Sequence, residues 1–225
     1  MTLRLLLYED RHWRDLRPLT DLLPVPALAF GASDLARRWL AATGAGLLGI
    51  EARRGALAAW SGAPVTSGAA GADDEVLVVN AAALPGQWLE SALAGRAPAL
   101  WMADGRVAGA RLPFHALAPC LGRGEEFETS LLGLGLPAFP AEPATLRRPW
   151  DLIAHNPAAL ASDLANQPAE RAGEVHPQAV LLAPERISVA AGARVDPLAV
   201  LDARPGPIRI ESGAIRSRDW TEANT

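Results

Sequence analysis

Residues 3–10 read Leu-Arg-Leu-Leu-Leu-Tyr-Glu-Asp, an apolar run that ends in two carboxylates. This is the pattern of a buried β-strand that meets a loop at its carboxyl end. Residues 76–79 read Val-Leu-Val-Val and predict the clearest strand in the chain, because three of the four are β-branched, and Asn80 follows them. The polar residues after these two strands are therefore the first candidates for a functional site.

Helical and hairpin patterns alternate with the strands. A helix capped by Ser33 or Asp34 is predicted to run to about Thr43, where Gly44 and Gly46 end it. Further elements are predicted along the chain: a strand at Leu47–Ile50, a helix at Gln87–Ala94, and a hairpin that joins residues 100–103 to 106–110 through Asp104-Gly105.

This alternation predicts an α/β fold, a Rossmann-like layered sheet whose strands are mostly parallel. In such sheets ligands bind at the carboxyl ends of the strands. The loops after Tyr8 and Val79 are therefore the parts of the chain in which we expect a site.

Composition excludes several classes of function. The net charge is −4 and no basic run with interleaved aromatic residues occurs, so we expect no nucleic-acid partner. No run of about eighteen apolar residues is present, so we expect no spanning helix and no membrane partner. The single cysteine, Cys120, fits a reducing compartment and predicts a cytoplasmic protein. None of the 21 basic residues is lysine, so arginine must supply any permanent positive charge.

The chain changes character near a proline-rich passage from Leu136 to Pro149, which marks a domain boundary. A helix-like segment then begins at Trp150-Asp151-Leu152 and runs to about Asn166. We therefore predict four parts: an α/β domain at 1–148, a helical linker at 149–177, an incomplete hexapeptide β-helix at 178–215 and a polar tail at 216–225.

Apolar residues recur at every sixth position in the C-terminal part, at Val189, Val195 and Leu201, with Gly192 and Pro197 between them. This period is the signature of a parallel β-helix, in which one aliphatic side chain of each short strand stacks inward. About three repeats are needed for stability, and the pattern covers only about two coils. Either the chain is truncated, or its tail packs on the first domain or on another subunit, and a homo-oligomer formed through the β-helix is one expectation.

The segment Leu16-Arg17-Pro18-Leu19-Thr20, followed by Pro24-Val25-Pro26, resembles the second half of the sugar nucleotidyltransferase signature, Gly-x-Gly-Thr-Arg-Leu-x-Pro-Leu-Thr-x-x-x-Pro-Lys-Pro. The order of motifs along the chain is similar to that of a divergent bacterial group of sugar nucleotidyltransferases: Tyr8-Glu9-Asp10, Arg14 to Thr20, Asn80 with Leu84-Pro85, and Pro149-Trp150-Asp151-Leu152. The resemblance implies a uridyltransferase-like domain with a nucleotide-diphospho-sugar transferase-like fold, followed by the start of a left-handed β-helix of hexapeptide repeats.

The resemblance also implies a chemistry, in which a sugar 1-phosphate attacks the α-phosphate of a nucleoside triphosphate and pyrophosphate leaves. The implied partners are a nucleoside triphosphate or a nucleotide sugar, and the implied cofactor is Mg²⁺. Several family residues are replaced here. The signature glycines correspond to Arg11 and Trp13, the arginine to Asp15 and the lysine to Val25, and the metal-binding aspartate falls near Asn80, where no carboxylate exists.

Six residues around the first two strand ends are the candidates for binding a nucleotide or a sugar phosphate: Asp10, Arg11, Arg14, Arg17, Thr20 and Asn80. The three arginines can hold a polyphosphate, because guanidinium groups match the geometry of phosphate oxygens, and Asp10 can hold a cation. The alternative is an ordinary polar loop, on which exposed arginines lie beside acidic neighbours. No catalytic residue is assigned.

Two functions are open at this point. The first is a sugar-1-phosphate nucleotidyltransferase, either active or degenerate. The second is a non-catalytic nucleotide-binding, sugar-phosphate-binding or structural domain attached to a truncated β-helical part of the acyltransferase type. The four histidines lack the i, i+4 spacing of a helical zinc pair, and the run Glu125-Glu126-x-Glu128 is interpreted as a solvated face.

Overall fold

The structure is a computed structural model that describes residues 3–59, 70–165, 169–217 and 220–222. The chain forms two compact units, Met1–Ala154 and His155–Thr225. None of the described helices is long and apolar enough to cross a membrane.

The first unit contains a six-stranded sheet with the order β4-β1-β5-β7-β6-β8. Five of its strands run in one direction, and β7 is antiparallel to both of its neighbours, so the predicted mostly parallel α/β sheet is confirmed. A separate short ladder joins β2 to β3. The strands of this unit are β1 Leu3–Tyr8, β2 Ala29–Phe30, β3 Ser33–Asp34, β4 Gly46–Glu51, β5 Glu75–Asn80, β6 Ala99–Ala103, β7 Arg106–Pro113 and β8 Ala138–Pro140.

Short helices connect these strands. The α-helices are α1 Leu35–Thr43, α2 Arg54–Ala59, α3 Gln87–Ala94, α4 Phe114–Leu117, α5 Phe127–Leu132 and α6 Pro149–Ala165, and the 3₁₀ helices of this unit are Arg11–Leu16, Val25–Ala27, Ala118–Cys120 and Gly124–Glu126. The predicted ends of α1 are confirmed. The Asp34 side chain accepts a hydrogen bond from the Arg37 backbone N–H at 2.7 Å, and Gly44 adopts the left-handed conformation that ends the helix.

Side chains cover the sheet on both faces, which explains why its central strands are continuous apolar runs. Leu5 and Leu7 of β1 pack in one cluster with Trp39 and Trp88, which belong to α1 and α3. Leu6 and Tyr8 pack in the opposite cluster, which contains Phe114 and Phe127 of α4 and α5. The polar carboxyl ends of β1 and β5 are thus held rigidly at one edge of a buried core.

Gly109 of β7 lies where Trp88 approaches the sheet. A Cβ atom added at Gly109 would lie 2.9 Å from Trp88 Cζ3 and 3.1 Å from the Val78 carbonyl oxygen. Gly109→Ala is therefore expected to lower the free energy of unfolding by about 1–3 kcal/mol, measured by urea denaturation. Gly46→Ala is the matched control, because its Cβ would come no closer than 3.9 Å to Arg4 Nε, and an equal loss in both variants would contradict the packing explanation.

One further prediction for this unit, a hairpin, is confirmed, and one strand was not predicted. The hairpin at Asp104-Gly105 is confirmed, and both turn residues have positive φ, 51° and 75°. β8 was not predicted, because Pro137 and Pro140 flank and end it, and proline within a short run argues against a strand unless that strand lies at a sheet edge. Residues 61–74 consist mostly of Gly, Ala and Ser, a composition that predicts a surface loop, and residues 61–69 of this segment lie outside the described residues.

The second unit contains three parallel ladders of short strands, which form the predicted β-helix segment. Val180 pairs with Val200 and Ile187 with Ile208, so one turn spans 20 or 21 residues. Its strands are β9 Glu174–Val175, β10 Val180–Leu182, β11 Ile187–Val189, β12 Arg194–Val195, β13 Val200–Asp202, β14 Ile208–Ile210, β15 Ile215–Arg216 and β16 Trp220–Glu222.

The six-residue apolar period corresponds to the interior of this β-helix. Val189, Val195 and Leu201 lie on three successive strands and are completely buried. The full turn exceeds three hexapeptides, and a 3₁₀ helix at Pro184–Arg186 is inserted between β10 and β11. The ladders continue into the predicted tail, where β16 pairs with β13, and the left-handed sense of the helix stays a prediction.

Candidate functional site

A cleft of ≈ 460 Å³ lies in the first unit at the carboxyl ends of β1 and β5, where the fold predicts a site. Its wall contains four arginines and four carboxylates: Arg11, Arg106, Arg147, Arg148, Asp15, Asp104, Glu128 and Asp151. Asn80, His12 and Thr145 also line it. The cleft is therefore highly charged but close to electrically balanced.

The Asp10 side chain connects the loop after β1 with Asn80 at the end of β5 and Arg106 at the start of β7. It is only 3% exposed. Asp10 Oδ1 accepts the His12 backbone N–H at 2.9 Å, while Oδ2 accepts from Asn80 Nδ2 at 2.7 Å and forms a buried ion pair with Arg106. Both oxygens are therefore occupied, and Asp10 caps the 3₁₀ helix Arg11–Leu16 instead of presenting a free carboxylate.

Glu9 and Arg53 hold the loop that follows β1. The Glu9 carboxylate is 2% exposed and accepts from Arg53 Nη1 at 2.6 Å and from the Val25 backbone N–H at 2.8 Å. Arg53 also donates to the carbonyl oxygens of Thr20 and Leu23. Burial raises the pKa of Glu9, and the hydrogen bond from Arg53 opposes that rise.

The Arg53 guanidinium lies 3.9 Å from the centre of the Trp13 ring, so one arginine contacts the loop both through its carbonyl oxygens and through a stacked aromatic side chain. Arg53 fixes the shape of this loop, although it lies outside the segment that the sequence indicated.

The structure separates the predicted binding residues. Arg11 and Asn80 line the cleft. Arg14 does not, because both oxygens of Glu125 accept hydrogen bonds from its Nη2 at 2.9 and 3.0 Å. Arg17 pairs with Asp21 on the surface at 2.6 Å. Thr20 is completely buried, and its hydroxyl donates to the Trp13 carbonyl at 2.8 Å. The loop arginines therefore do not form the single polyphosphate cluster that the sequence suggested.

Three further arginines reach the cleft from distant segments that sequence reasoning did not single out. Arg106 is the first residue of β7 and directly follows the Asp104-Gly105 turn, for which the sequence predicted a hairpin but no binding role. Arg147 pairs with Asp104, and Arg148 Nη1 lies 3.7 Å from Asp15 Oδ1. For the last two, the signal available in the sequence was the Arg147-Arg148 pair directly before the predicted helix, where the helix dipole disfavours positive charge.

Arg11 is the exposed cationic group of the cleft that the described residues leave without an ion pair or a side-chain hydrogen bond. Arg106 uses Nε and Nη2 to contact Asp10, which leaves its Nη1 group without a hydrogen bond among the described residues. The cleft therefore retains donors for an anionic ligand on the side formed by the loop after β1 and the start of β7.

Glu128 supplies a half-buried carboxylate to the cleft. Its Oε1 accepts the Val107 backbone N–H at 2.7 Å and lies 3.4 Å from the Tyr8 hydroxyl, which donates to the Val107 carbonyl. Burial raises the pKa of Glu128, and the neighbouring Asp10 charge raises it further, whereas Arg106 opposes the shift. The interpretation of residues 125–128 as a solvated face was wrong for Glu128, because only Glu125 and Glu126 are exposed.

Magnesium is the cofactor that the family resemblance implies, and the described residues do not form a protein-only site for it. Magnesium prefers carboxylate oxygens in an octahedral arrangement, but both oxygens of Asp10 already accept hydrogen bonds from protein donors. Among the described residues, no group of three or more His, Cys, Asp or Glu side chains is placed to hold a metal ion.

Comparison with protein-family models agrees with the family resemblance of the motifs. A family model described as sugar nucleotidyl transferase matches residues 5–172. No curated protein matches the chain. Among solved structures, one reported as a glucose-1-phosphate thymidylyltransferase from Bacillus anthracis in complex with a sucrose is 9% identical with a TM-score of 0.44, and the alignment covers 71% of this chain and 96% of that chain.

Proposed function

The chain belongs to the sugar nucleotidyl transferase family, and we propose that its cleft binds a sugar 1-phosphate or the nucleotide sugar derived from it. The observation that carries the proposal is the unpaired Arg11 beside the partly used Arg106 and the loosely paired Arg148. Guanidinium groups bind phosphate oxygens through charge-assisted hydrogen bonds, which are about twice as strong as neutral ones.

The balanced charge of the cleft supports a ligand with few negative charges and many hydroxyl groups. Arg147 and Arg148 face Asp104 and Asp15, so much of the positive charge is already neutralised. A bare triphosphate would carry more negative charge than the remaining donors can match. A sugar phosphate presents one phosphate to the arginines and hydroxyl groups to the carboxylates and amide of the wall.

Nucleotidyl transfer is the reaction proposed for this ligand set. A phosphate oxygen of the sugar 1-phosphate would form a bond to the α-phosphorus of a nucleoside triphosphate, while the bond from that phosphorus to the pyrophosphate oxygen breaks. Arg11 and Arg148 would stabilise the negative charge that spreads over the phosphate oxygens. Magnesium enters this proposal only as a partner of the triphosphate, since the described residues do not form a site for it.

Binding without transfer is the second candidate. The observation that favours it is the engagement of Asp10, the carboxylate at the end of β1, by Asn80 and Arg106. The two candidates differ in one measurement. Pyrophosphate released from a nucleoside triphosphate only when sugar 1-phosphate is added supports transfer, whereas saturable binding of these ligands without pyrophosphate supports the second candidate.

Arg11→Ala is expected to weaken the binding of glucose 1-phosphate by about 1.5–3 kcal/mol, or about tenfold to a hundredfold, because it removes a charged hydrogen-bond donor. Isothermal titration calorimetry measures this change. Arg17→Ala is the matched control, since its guanidinium pairs with Asp21 on the surface and does not line the cleft. Equal weakening in both variants, or in neither, would argue against the cleft as the phosphate site.

A further inference from the structure

Glu128 is a half-buried carboxylate of the cleft wall that forms no ion pair and has one oxygen without a hydrogen bond among the described residues. Oε1 is held by the Val107 backbone N–H at 2.7 Å and lies near the Tyr8 hydroxyl. Oε2 makes no hydrogen bond and no ion pair with any described residue. The anchored oxygen fixes the position of the carboxylate, and the other oxygen is left available on the cleft wall.

Each of the other carboxylates of the cleft wall either pairs with a basic side chain or accepts two backbone N–H groups, although Asp104 and Asp151 each keep one oxygen without a partner among the described residues. Asp104 pairs with Arg147, and Asp15 lies 3.1 Å from His12 Nδ1. Asp151 Oδ2 accepts the backbone N–H groups of Arg147 and Arg148 at 2.7 and 2.8 Å. Glu128 therefore combines partial burial, a single backbone hydrogen bond and no ion pair among the described residues, and its Oε2 can accept a hydrogen bond from a ligand.

The surroundings of Glu128 favour a hydrogen bond from a ligand to its Oε2 atom. α5 places it over β1 and β7, where burial raises its pKa, Asp10 repels its charge, and Arg106 and His12 attract it. A carboxylate that is partly removed from water is disfavoured unless its oxygens accept hydrogen bonds. A ligand donor at Oε2 would give that oxygen a fixed hydrogen bond inside the cleft.

We infer that Glu128 selects the sugar part of the ligand, with Oε2 accepting a hydrogen bond from a sugar hydroxyl or amino group. This inference rests on the proposed function, because it assumes that the phosphate of the ligand lies at the arginines. An ionised carboxylate accepts but does not donate hydrogen bonds, so it recognises the donors that distinguish a sugar phosphate from phosphate alone. Sites that bind a hydroxyl group in this way reject ligands that lack it, because the buried polar group is then unpaired.

The test compares Glu128→Gln with Glu126→Gln, which changes an exposed glutamate two residues away. Calorimetry is carried out with glucose 1-phosphate, glucosamine 1-phosphate and inorganic phosphate. Glu128→Gln is expected to weaken the two sugar phosphates about tenfold and to leave inorganic phosphate unchanged, because a neutral amide replaces a charged acceptor. Glu126→Gln is expected to bind all three as the unsubstituted protein does. A larger loss for glucosamine 1-phosphate identifies the amine as the donor, and an equal loss identifies a hydroxyl.

Glu128→Asp provides a second variant that keeps the charge but withdraws the carboxylate by one methylene group. It is expected to show the same selective loss for the sugar phosphates, and the denaturation midpoint of each variant verifies folding. Unchanged affinity for both sugar phosphates in Glu128→Gln, with Arg11→Ala still weakened, overturns this inference and leaves the proposed function intact. Failure of the unsubstituted protein to bind any of the three ligands overturns the proposed function itself.

Discussion

Asp10→Ala is expected to lower the free energy of unfolding of the first unit by about 3–5 kcal/mol, the loss typical when one partner of a buried ion pair is removed. The substitution leaves the Arg106 guanidinium, which is 16% exposed, without its counter-charge. It also removes the acceptor for Asn80 and the cap of the 3₁₀ helix that follows β1. Urea denaturation followed by tryptophan fluorescence measures the change.

Two further variants separate the buried pair from a general effect of losing a carboxylate. Asp21→Ala breaks the exposed pair with Arg17 and is expected to change the stability by less than about 1 kcal/mol. Asp10→Ala combined with Arg106→Met is expected to be more stable than Asp10→Ala alone, because the unpaired buried charge is then absent. If the double variant were the less stable of the two, the ion pair would not be the origin of the loss.

Arg53→Met is expected to cause a loss of similar size, about 3–5 kcal/mol at pH 7.5, because it leaves the buried Glu9 carboxylate without its cation. The loop after β1 also loses the hydrogen bonds to Thr20 and Leu23 and the stacking on Trp13. Arg54→Met is the matched control, since Arg54 is exposed and makes no contact of this kind with the part of the chain that the structure describes. Its stability is expected to stay within about 0.5 kcal/mol of the original.

The loss in Arg53→Met is also expected to depend on pH. Burial already raises the pKa of Glu9 above its ordinary value of 4.5, and the substitution removes the interaction with Arg53 that opposes the rise. A carboxyl group whose pKa is higher in the folded state binds more protons there, so stability is greatest below the unfolded pKa and falls as pH rises through the folded pKa. The deficit should therefore be smaller at pH 4.5 than at pH 7.5, and a deficit independent of pH would exclude Glu9 as its cause.

Local patterns predicted much of the first unit. β1 begins and ends where the apolar run does, α3 covers the predicted Gln87–Ala94, and the hairpin turns at Asp104-Gly105. These elements depend on neighbours within a few residues, such as a cap, a β-branched run or a turn residue that tolerates positive φ. β8 lacks such a signal, because its prolines argue against a strand and its pairing with β6 supplies the stabilisation.

The candidate site was predicted less completely. Asn80 ends β5 and Arg11 lies just after β1. Both line one cleft, because parallel strands end at the same edge of a sheet. Arg106 and Glu128 reach the same cleft from positions 96 and 21 residues away from their partners Asp10 and Val107. Contacts over such separations leave no periodic trace in a single sequence.

The sequence alone determined the longer strands and helices of the first unit, the apolar interior of the β-helix and the loop in which a site would lie. Each of these follows from side chains whose spacing matches the repeat of a strand, a helix or a coil. Only the tertiary structure decided which charged residues are available to a ligand. Arg14 is bound to Glu125, Asp10 is bound to Arg106, and Arg11 and one oxygen of Glu128 are left without partners among the described residues. The physical reason is that an ion pair forms wherever folding brings opposite charges together, and the distance between them in the sequence does not limit it.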